Sequence, residues 1–439
     1  MSLNAADRPP MPGAAGDDPA VSRYDVYFAR QPLLDRDGML CGFEMQPRVI
    51  DRGDEPQARS SAGSALIAAF ASPAVRGALS GHPGWLDVTR EALFDDAVLR
   101  LPAQRVMFEL PLDIGADPEL VARLVQLHAR RYRFALDHVT EADESFAKLL
   151  PYVEAVKIDL RRIAPALLAK FASVLKAAGK ILVAMGVETQ ADFERAHALG
   201  FDRFQGYFFA KPHSGGRRAS APRQALLNLL QLLASDPTVA QLEAELKLNP
   251  VLVMHLMRLA NSPTFGIGRK VSTLREAINA TGTNRIARWT QLLLYADGRK
   301  VSLEDDPLLQ LAATRARFME LAVSQLPAAG RDEQDTAFLA GVFSFVDAVF
   351  GGPLETTVDM LRLARPIRAA IIGREGLLGR LLDVTEALEQ GDWSGVDTIC
   401  ARLEPLDASA VAALSLTAGE WAGMADSNAE ATGLERIDD

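Results

Sequence analysis

Four short apolar runs between Phe134 and Pro212 constrain this chain more than any other stretch: FALDHV, AVKIDL, KILVAMGVET and DRFQGYFFAKP. Each reads as a strand ending near a polar, chemically capable residue: Asp137, Lys157, Glu188 and Gln205. Amphipathic segments of helical length separate them. Strands alternating with helices, with reactive groups at the strand ends, are how a parallel β/α barrel builds a site. A TIM-like barrel is therefore expected over residues 23–213, with the rest of the chain attached to it.

Upstream, the pattern opens differently. Tyr24 to Ala29 and Met39 to Met45 are β-like runs joined through Arg36-Asp37-Gly38, which predicts a hairpin and an antiparallel first strand. A helix is expected over 60–80, a strand at 85–89, a helix over 90–99 and a strand at 105–110. The next helix, 118–131, has Asp117 as N-cap and Pro118 at its first position. Further helices are predicted at about 141–150, 165–178 and 189–199, the last closed by Gly200.

Seven polar residues fall at or near successive strand ends: Glu44, Asp87, Glu109, Asp137, Lys157, Glu188 and Gln205. Singly, each has an ordinary explanation, such as Lys157 pairing with Asp159 or Gln205 capping a loop. As a set they place four carboxylates, Glu44, Asp87, Glu109 and Asp137, around one mouth. Such a group repels itself strongly in a low-dielectric setting unless a cation sits within it. Hard oxygen donors suit Mg²⁺ or Mn²⁺, and a lysine beside them suits a phosphate.

Beyond the barrel, residues 214–222 read as a Gly/Ser/Arg-rich linker, and strand signals then vanish. Successive helical segments over 223–424 predict an all-α domain, followed by an acidic tail at 425–439. The first 22 residues, rich in Pro and Asp, read as a disordered tail and not a signal peptide. No run approaches the ~18 apolar residues of a membrane helix. The formal charge of −10 argues against broad nucleic-acid binding. Eight Lys/Arg against two acids over 249–300 read as a solvated helical face, the alternative being a face for an acidic partner or a nucleic acid. Two distant cysteines, Cys41 and Cys400, exclude a disulfide framework or a cysteine zinc site. A cytoplasmic protein is expected.

The barrel half resembles the EAL domain, a barrel that hydrolyses cyclic di-GMP with two divalent metals. RQPLLD, GFEMQPR, KID, GVET and QGYFFAKP carry the resemblance. It implies metal ligation by Glu44, Asp87, Glu109, Asp137 and His138. Lys157 and Glu188 would be catalytic, and Arg48 and Gln205 would bind ligand. Several positions depart from the family pattern. The Glu-Ala-Leu triplet is Glu44-Met45-Gln46, and Asp87 replaces an asparagine. An Asp-Asp pair is Asp137-His138, Leu112 replaces an acid, Met185 replaces a glutamate, and VTEADESFAKL replaces a Gly-rich loop.

Two-metal phosphodiester hydrolysis needs both ions together. These departures therefore predict a degenerate barrel acting as a cyclic di-GMP receptor or interaction module; the alternative is an active phosphodiesterase producing pGpG. A lyase using Lys157 as a Schiff base is disfavoured, because neighbouring carboxylates raise a lysine pKa. LMRLANSPTFGIGRKVSTLREAINATGTNRIARW and AFLAGVFSFVDAVFG resemble the HDOD domain, a helical relative of HD phosphohydrolases. The His-Asp pair of those enzymes is missing, and His255 is the only histidine past the linker. The resemblance implies docking of other signalling proteins there, and barrel-mediated homodimers.

Overall fold

The structure, a computed structural model, describes residues 24–51, 61–211, 223–261, 271–287, 290, 305–327, 329–350, 353–361 and 363–423. The expected linker and both expected tails lie outside these residues, as does much of the basic stretch at 249–300.

Eight strands close into a barrel in sequence order. They are β1 (Tyr24–Leu34), β2 (Leu40–Asp51), β3 (Gly84–Asp87), β4 (Val106–Pro111), β5 (Arg133–Val139), β6 (Ala155–Asp159), β7 (Ile181–Met185) and β8 (Arg203–Gln205). Strand β1 runs antiparallel to both β2 and β8, and the remaining pairs are parallel. The hairpin turn forms where Asp35 Oδ1 accepts from the amides of Asp37 and Met39. Its strands extend well past the expected ends, because Tyr24 pairs with Asp51 in an almost unbroken register.

Helices α1 (Ala62–Phe70) and α2 (Pro73–Ala78) replace the single helix expected over 60–80. Pro73 cannot continue a helix from the preceding turn, and the Ser72 hydroxyl caps the new one. Likewise α3 is only Arg90–Phe94, followed by a 3₁₀ segment at Asp96–Arg100 that Asp95 caps. Helix α4 (Pro118–Ala129) starts as the sequence requires, the Asp117 carboxylate accepting from the amides of Glu119 and Leu120. Helices α5 (Glu144–Leu149), α6 (Pro165–Ala177) and α7 (Gln190–Ala198) complete the outer wall.

The helical half comprises α8 (Arg223–Ala234), α9 (Val239–Lys247), α10 (Pro250–Ala260), α11 (Leu274–Thr281), α12 (Pro307–Ser324), α13 (Arg331–Phe343), α14 (Val346–Phe350), α15 (Leu354–Leu361), α16 (Arg365–Gly373), α17 (Gly376–Glu389), α18 (Trp393–Cys400) and α19 (Ala408–Gly423). Its core is continuous and buries Leu256, Phe318, Phe338 and Phe343. None of the helices among the described residues is long and apolar enough to cross a membrane.

A consequence follows from the antiparallel start. A tight hairpin carries no crossover helix, so the β1–β2 ribbon, packed on one side by α1, needs further cover from elsewhere. The helical half supplies that cover. The Leu40 amide donates to the Asp305 carbonyl (2.8 Å), and Arg30 Nη2 donates to Thr314 Oγ1 on α12 (2.8 Å). Helix α19 packs against α2, and Ala29 of β1 belongs to the helical half's own core.

Candidate functional site

Side chains alternate across a strand, so residues two apart share a face. On the inner face this gives two stacked layers. The lower layer is apolar: Leu33, Trp85, Met107, Ala135, Ala155 and Val183 form one buried cluster. Two residues along each strand, toward the mouth, lie Gln31, Glu44, Asp87, Glu109, Asp137, Lys157, Met185 and Gln205. Glu44, Glu109 and Lys157 have no solvent exposure at all. Charges held above a dry apolar floor interact far more strongly than they would in water.

Lys157 is the hub. Its ammonium donates to Glu44 Oε2 and lies 2.8 Å from Glu109 Oε1 and 3.2 Å from Asp137 Oδ1, the last two outside hydrogen-bond geometry. The pair with Asp159 is not formed; that carboxylate binds Arg161 and Arg162 instead. Gln46 Nε2 holds the second Glu44 oxygen at 2.9 Å. Ligand oxygens of Glu44, Asp87 and Glu109 all lie within 4.8 Å of one another, the spacing of a metal site. Asp87 Oδ1 and Glu109 Oε2 are buried and meet no donor among the described residues. These orphaned hard oxygens fit a divalent cation, which would satisfy them and cancel their repulsion.

The electrostatics agree. Burial pushes the Asp87 carboxyl up to about 6, and burial together with Glu44 holds Glu109 well above the usual carboxylate range. Without a cation both hold a proton to higher pH than a free carboxylate does. Burial works against Asp137 too, but Lys157 and His138 outweigh it and hold that carboxylate below its ordinary range. Burial disfavours the charge on Lys157, yet Asp137, Glu109 and Glu44 reverse this and keep the ammonium charged.

Strand β5 breaks its register between Leu136 and Val139, and His138 adopts a left-handed φ of 48°. This bulge turns adjacent residues to one side, so His138 Nδ1 reaches Asp137 Oδ2 at 2.5 Å. The hydrogen bond to Asp137 raises the imidazole pKa. Gln205 Nε2 donates to Gln31 Oε1 (2.7 Å), leaving Gln205 Oε1 buried without a donor among the described residues. Gly206, at φ +146°, passes so close to Val187 that a Cβ would strike its carbonyl oxygen. Gly206→Ala is expected to cost about 1–3 kcal/mol and to displace Gln205. A thermal melt reads the first effect; an unshifted transition would show that the close approach is not maintained.

Two of the expected residues stand apart from this cluster. Glu188 is on the rim, 43% exposed, and pairs with Lys211 at 3.0 Å. Arg48 lies four residues along β2 from Glu44 and binds Asp397 of α18. Gln31 was not singled out by the sequence and Gln46 only as a departure from the family triplet, although Gln31 is the register partner of Glu44 and Gln46 follows it by two. In the helical half, Ser344 donates to the Gly341 carbonyl and accepts from Arg315, and His255 is half-buried on α10.

Residues 73–212 match the EAL domain family and residues 221–346 the HDOD domain family. This is an EAL–HDOD protein. Two relatives are similar over most of their length. The chain is 28% identical over 389 residues to the cyclic di-GMP phosphodiesterase CdgJ of Vibrio cholerae, covering 87% of this chain and 88% of that one. It is 24% identical over 408 residues to the uncharacterized protein YuxH of Bacillus subtilis, covering 90% and 98% respectively. Among solved structures, a standalone EAL protein from Vibrio cholerae O395 in its c-di-GMP-bound form is 20% identical, with a TM-score of 0.35 and coverage of 43% and 92%. BlrP1 of Klebsiella pneumoniae, as a calcium/cy-diGMP complex, is also 20% identical, with a TM-score of 0.34 and coverage of 43% and 59%. The chain is thus similar to one cyclic di-GMP phosphodiesterase, CdgJ, over nearly its whole length.

Proposed function

We propose that the EAL barrel of this chain is a divalent-metal-assisted receptor for cyclic di-GMP with impaired turnover. One observation carries the reading: Glu44, Asp87 and Glu109 are the only group at metal-ligand spacing among the described residues. That is a site for one ion, whereas in-line displacement by two metals needs a second ion ~3.5–4 Å away. The positions that could complete a second site are compromised. Asp137 spends one oxygen on His138 and the other near Lys157, and β7 presents buried Met185 to the mouth in place of an acid.

Glu44, Asp87 and Glu109 would hold Mg²⁺ or Mn²⁺, with Lys157 balancing the carboxylates. A bound ion would supply charge to attract a phosphodiester oxygen. Arg48 offers a guanidinium fork suited to a second phosphate oxygen pair. Gln205, fixed by Gln31, offers an amide oxygen to a donor on the ligand. His138 keeps Asp137 oriented. The HDOD half would take protein partners, and the protein would work in the cytoplasm.

Turnover is the second reading, favoured by the phosphodiesterase name of the full-length relative CdgJ. One experiment separates them. Purified protein is incubated with cyclic di-GMP and Mg²⁺ or Mn²⁺, pGpG is followed by chromatography, and calorimetry is run on the same sample. Metal-dependent binding with little or no pGpG is expected, and Glu44→Ala should abolish the binding. Turnover that disappears in Glu44→Ala would overturn the receptor reading in favour of the phosphodiesterase. Absence of both binding and turnover would leave an interaction scaffold.

A further inference from the structure

The upper part of the β1–β2 hairpin stands clear of the barrel wall. Strand β3 pairs with β2 only at Phe43 to Met45, so β2 from Gln46 onward is bonded to β1 alone. Gln46 and Arg48 continue the inner face of Glu44, and this protruding face borders the mouth.

The corner between α17 and α18 is seated on that face. The backbone of Gly391, which holds φ +71° at the corner, presses against the Gln46 side-chain amide, the group that donates to Glu44. A Cβ at the same position would lie 3.7 Å from Gln31 Nε2. The end of α17 is pinned by the Tyr207 hydroxyl, which donates to the Glu389 carbonyl at 2.7 Å just past the end of β8. Buried Arg315 holds the same Glu389 through its carboxylate at 2.5 Å. Beyond the corner, both Arg48 Nη atoms donate to Asp397, at 2.8 and 2.7 Å, and the guanidinium lies 5.4 Å from the centre of the Trp393 ring.

We infer that Asp397, from the helical half, competes with the phosphodiester of a barrel ligand for Arg48 and so sets that ligand's affinity. The inference rests on the receptor reading above. A carboxylate and a phosphate present the same paired oxygens to a guanidinium fork, so one excludes the other from those two donors. Both partners are partly exposed, 24% for Arg48 and 51% for Asp397, so the clamp is weak enough for a ligand to displace. Segments α17, α18 and α19 all lie past residue 346, where the HDOD match ends. The clamp therefore belongs to a C-terminal extension that bridges the two halves. By reciprocity, a ligand that takes Arg48 loosens the bridge, and a partner that pulls the bridge away favours the ligand.

The test uses the full chain. Asp397→Asn keeps the shape and removes the charge. Calorimetry with cyclic di-GMP in Ca²⁺ compares it with wild type and with Arg48→Ala, while phenylglyoxal labelling of Arg48, read by mass spectrometry without nucleotide, reports the clamp itself. The expected result is faster labelling of Arg48 and affinity raised about three- to fivefold in Asp397→Asn, the range open to a partly exposed pair. Arg48→Ala should bind more weakly than wild type. Unchanged labelling would overturn the clamp. Faster labelling with equal or weaker binding would overturn competition, Asp397 then being a positioning residue for Arg48. Absence of binding in wild type and Asp397→Asn alike is the distinct signature of a failed receptor reading, and it overturns the inference with it.

Discussion

Lys157→Met should lower the stability of the barrel by about 3–5 kcal/mol, the largest single effect expected in the chain. The ammonium is completely buried and lies against Glu44, Glu109 and Asp137 at once. Methionine fills a similar volume but leaves these carboxylates uncompensated above an apolar floor. Breaking a buried ionic group by removing one partner costs far more than the group contributes as a whole. Thermal melts in a chelator check the loss. Restoring Mg²⁺ or Mn²⁺ should recover part of it, because an ion among Glu44, Asp87 and Glu109 supplies the missing positive charge. A variant as stable as wild type in chelator would show that Lys157 does not hold the cluster together.

The second large effect is that of the metal on wild-type stability, and its dependence on pH. Asp87 titrates near 6 and Glu109 well above the usual range, so the folded protein retains protons there that the unfolded chain releases. Their contribution to stability is most favourable below the unfolded carboxylate pKa of ~4 and declines as pH rises through about 6. A divalent ion takes the place of the retained proton. Mn²⁺ at 100 times its Kd should stabilise the chain by about 2.7 kcal/mol at pH 7.5, and by progressively less as pH falls through 6. Asp137 acts in the opposite sense: its folded pKa is lowered, so its contribution is present above ~4 and is lost only in stronger acid. Calorimetric titration of Mn²⁺ at several pH values checks the dependence. A metal effect independent of pH would exclude Asp87 and Glu109 as ligands, and Glu109→Gln should remove most of it.

Much of the barrel was legible in the chain. Apolar runs capped by Asp137, Lys157 and Gln205 read as buried parallel strands, and the turn at Arg36-Asp37-Gly38 pointed to the reversed first strand, which pairs antiparallel with both β2 and β8. Local chemistry also set the starts of helices, as at Asp117-Pro118. It misled where a single apolar stretch concealed a break: Ser72-Pro73 divides one expected helix into α1 and α2. A cap or a proline acts over a few residues, and an apolar count averaged over twenty does not register it.

The candidate site divides in the same way. Asp87, Glu109, Asp137 and Lys157 fall on one inner layer because each follows an apolar inner residue by two, a spacing written in the sequence, and closure of the barrel brings Glu44 and Gln205 into the same layer. Glu188 lies beyond the end of β7, after Met185, and therefore sits on the rim with Lys211. Gln31 and Gln46 required the register of the hairpin. Residue types and spacing thus determined by themselves a barrel with a ring of acids around a lysine. Only the tertiary structure decided that His138 is drawn onto Asp137, and that Arg48 faces Asp397, 349 positions away. Period and spacing are local properties of a strand; a contact across that distance depends on how the helical half covers the hairpin, and no local pattern encodes it.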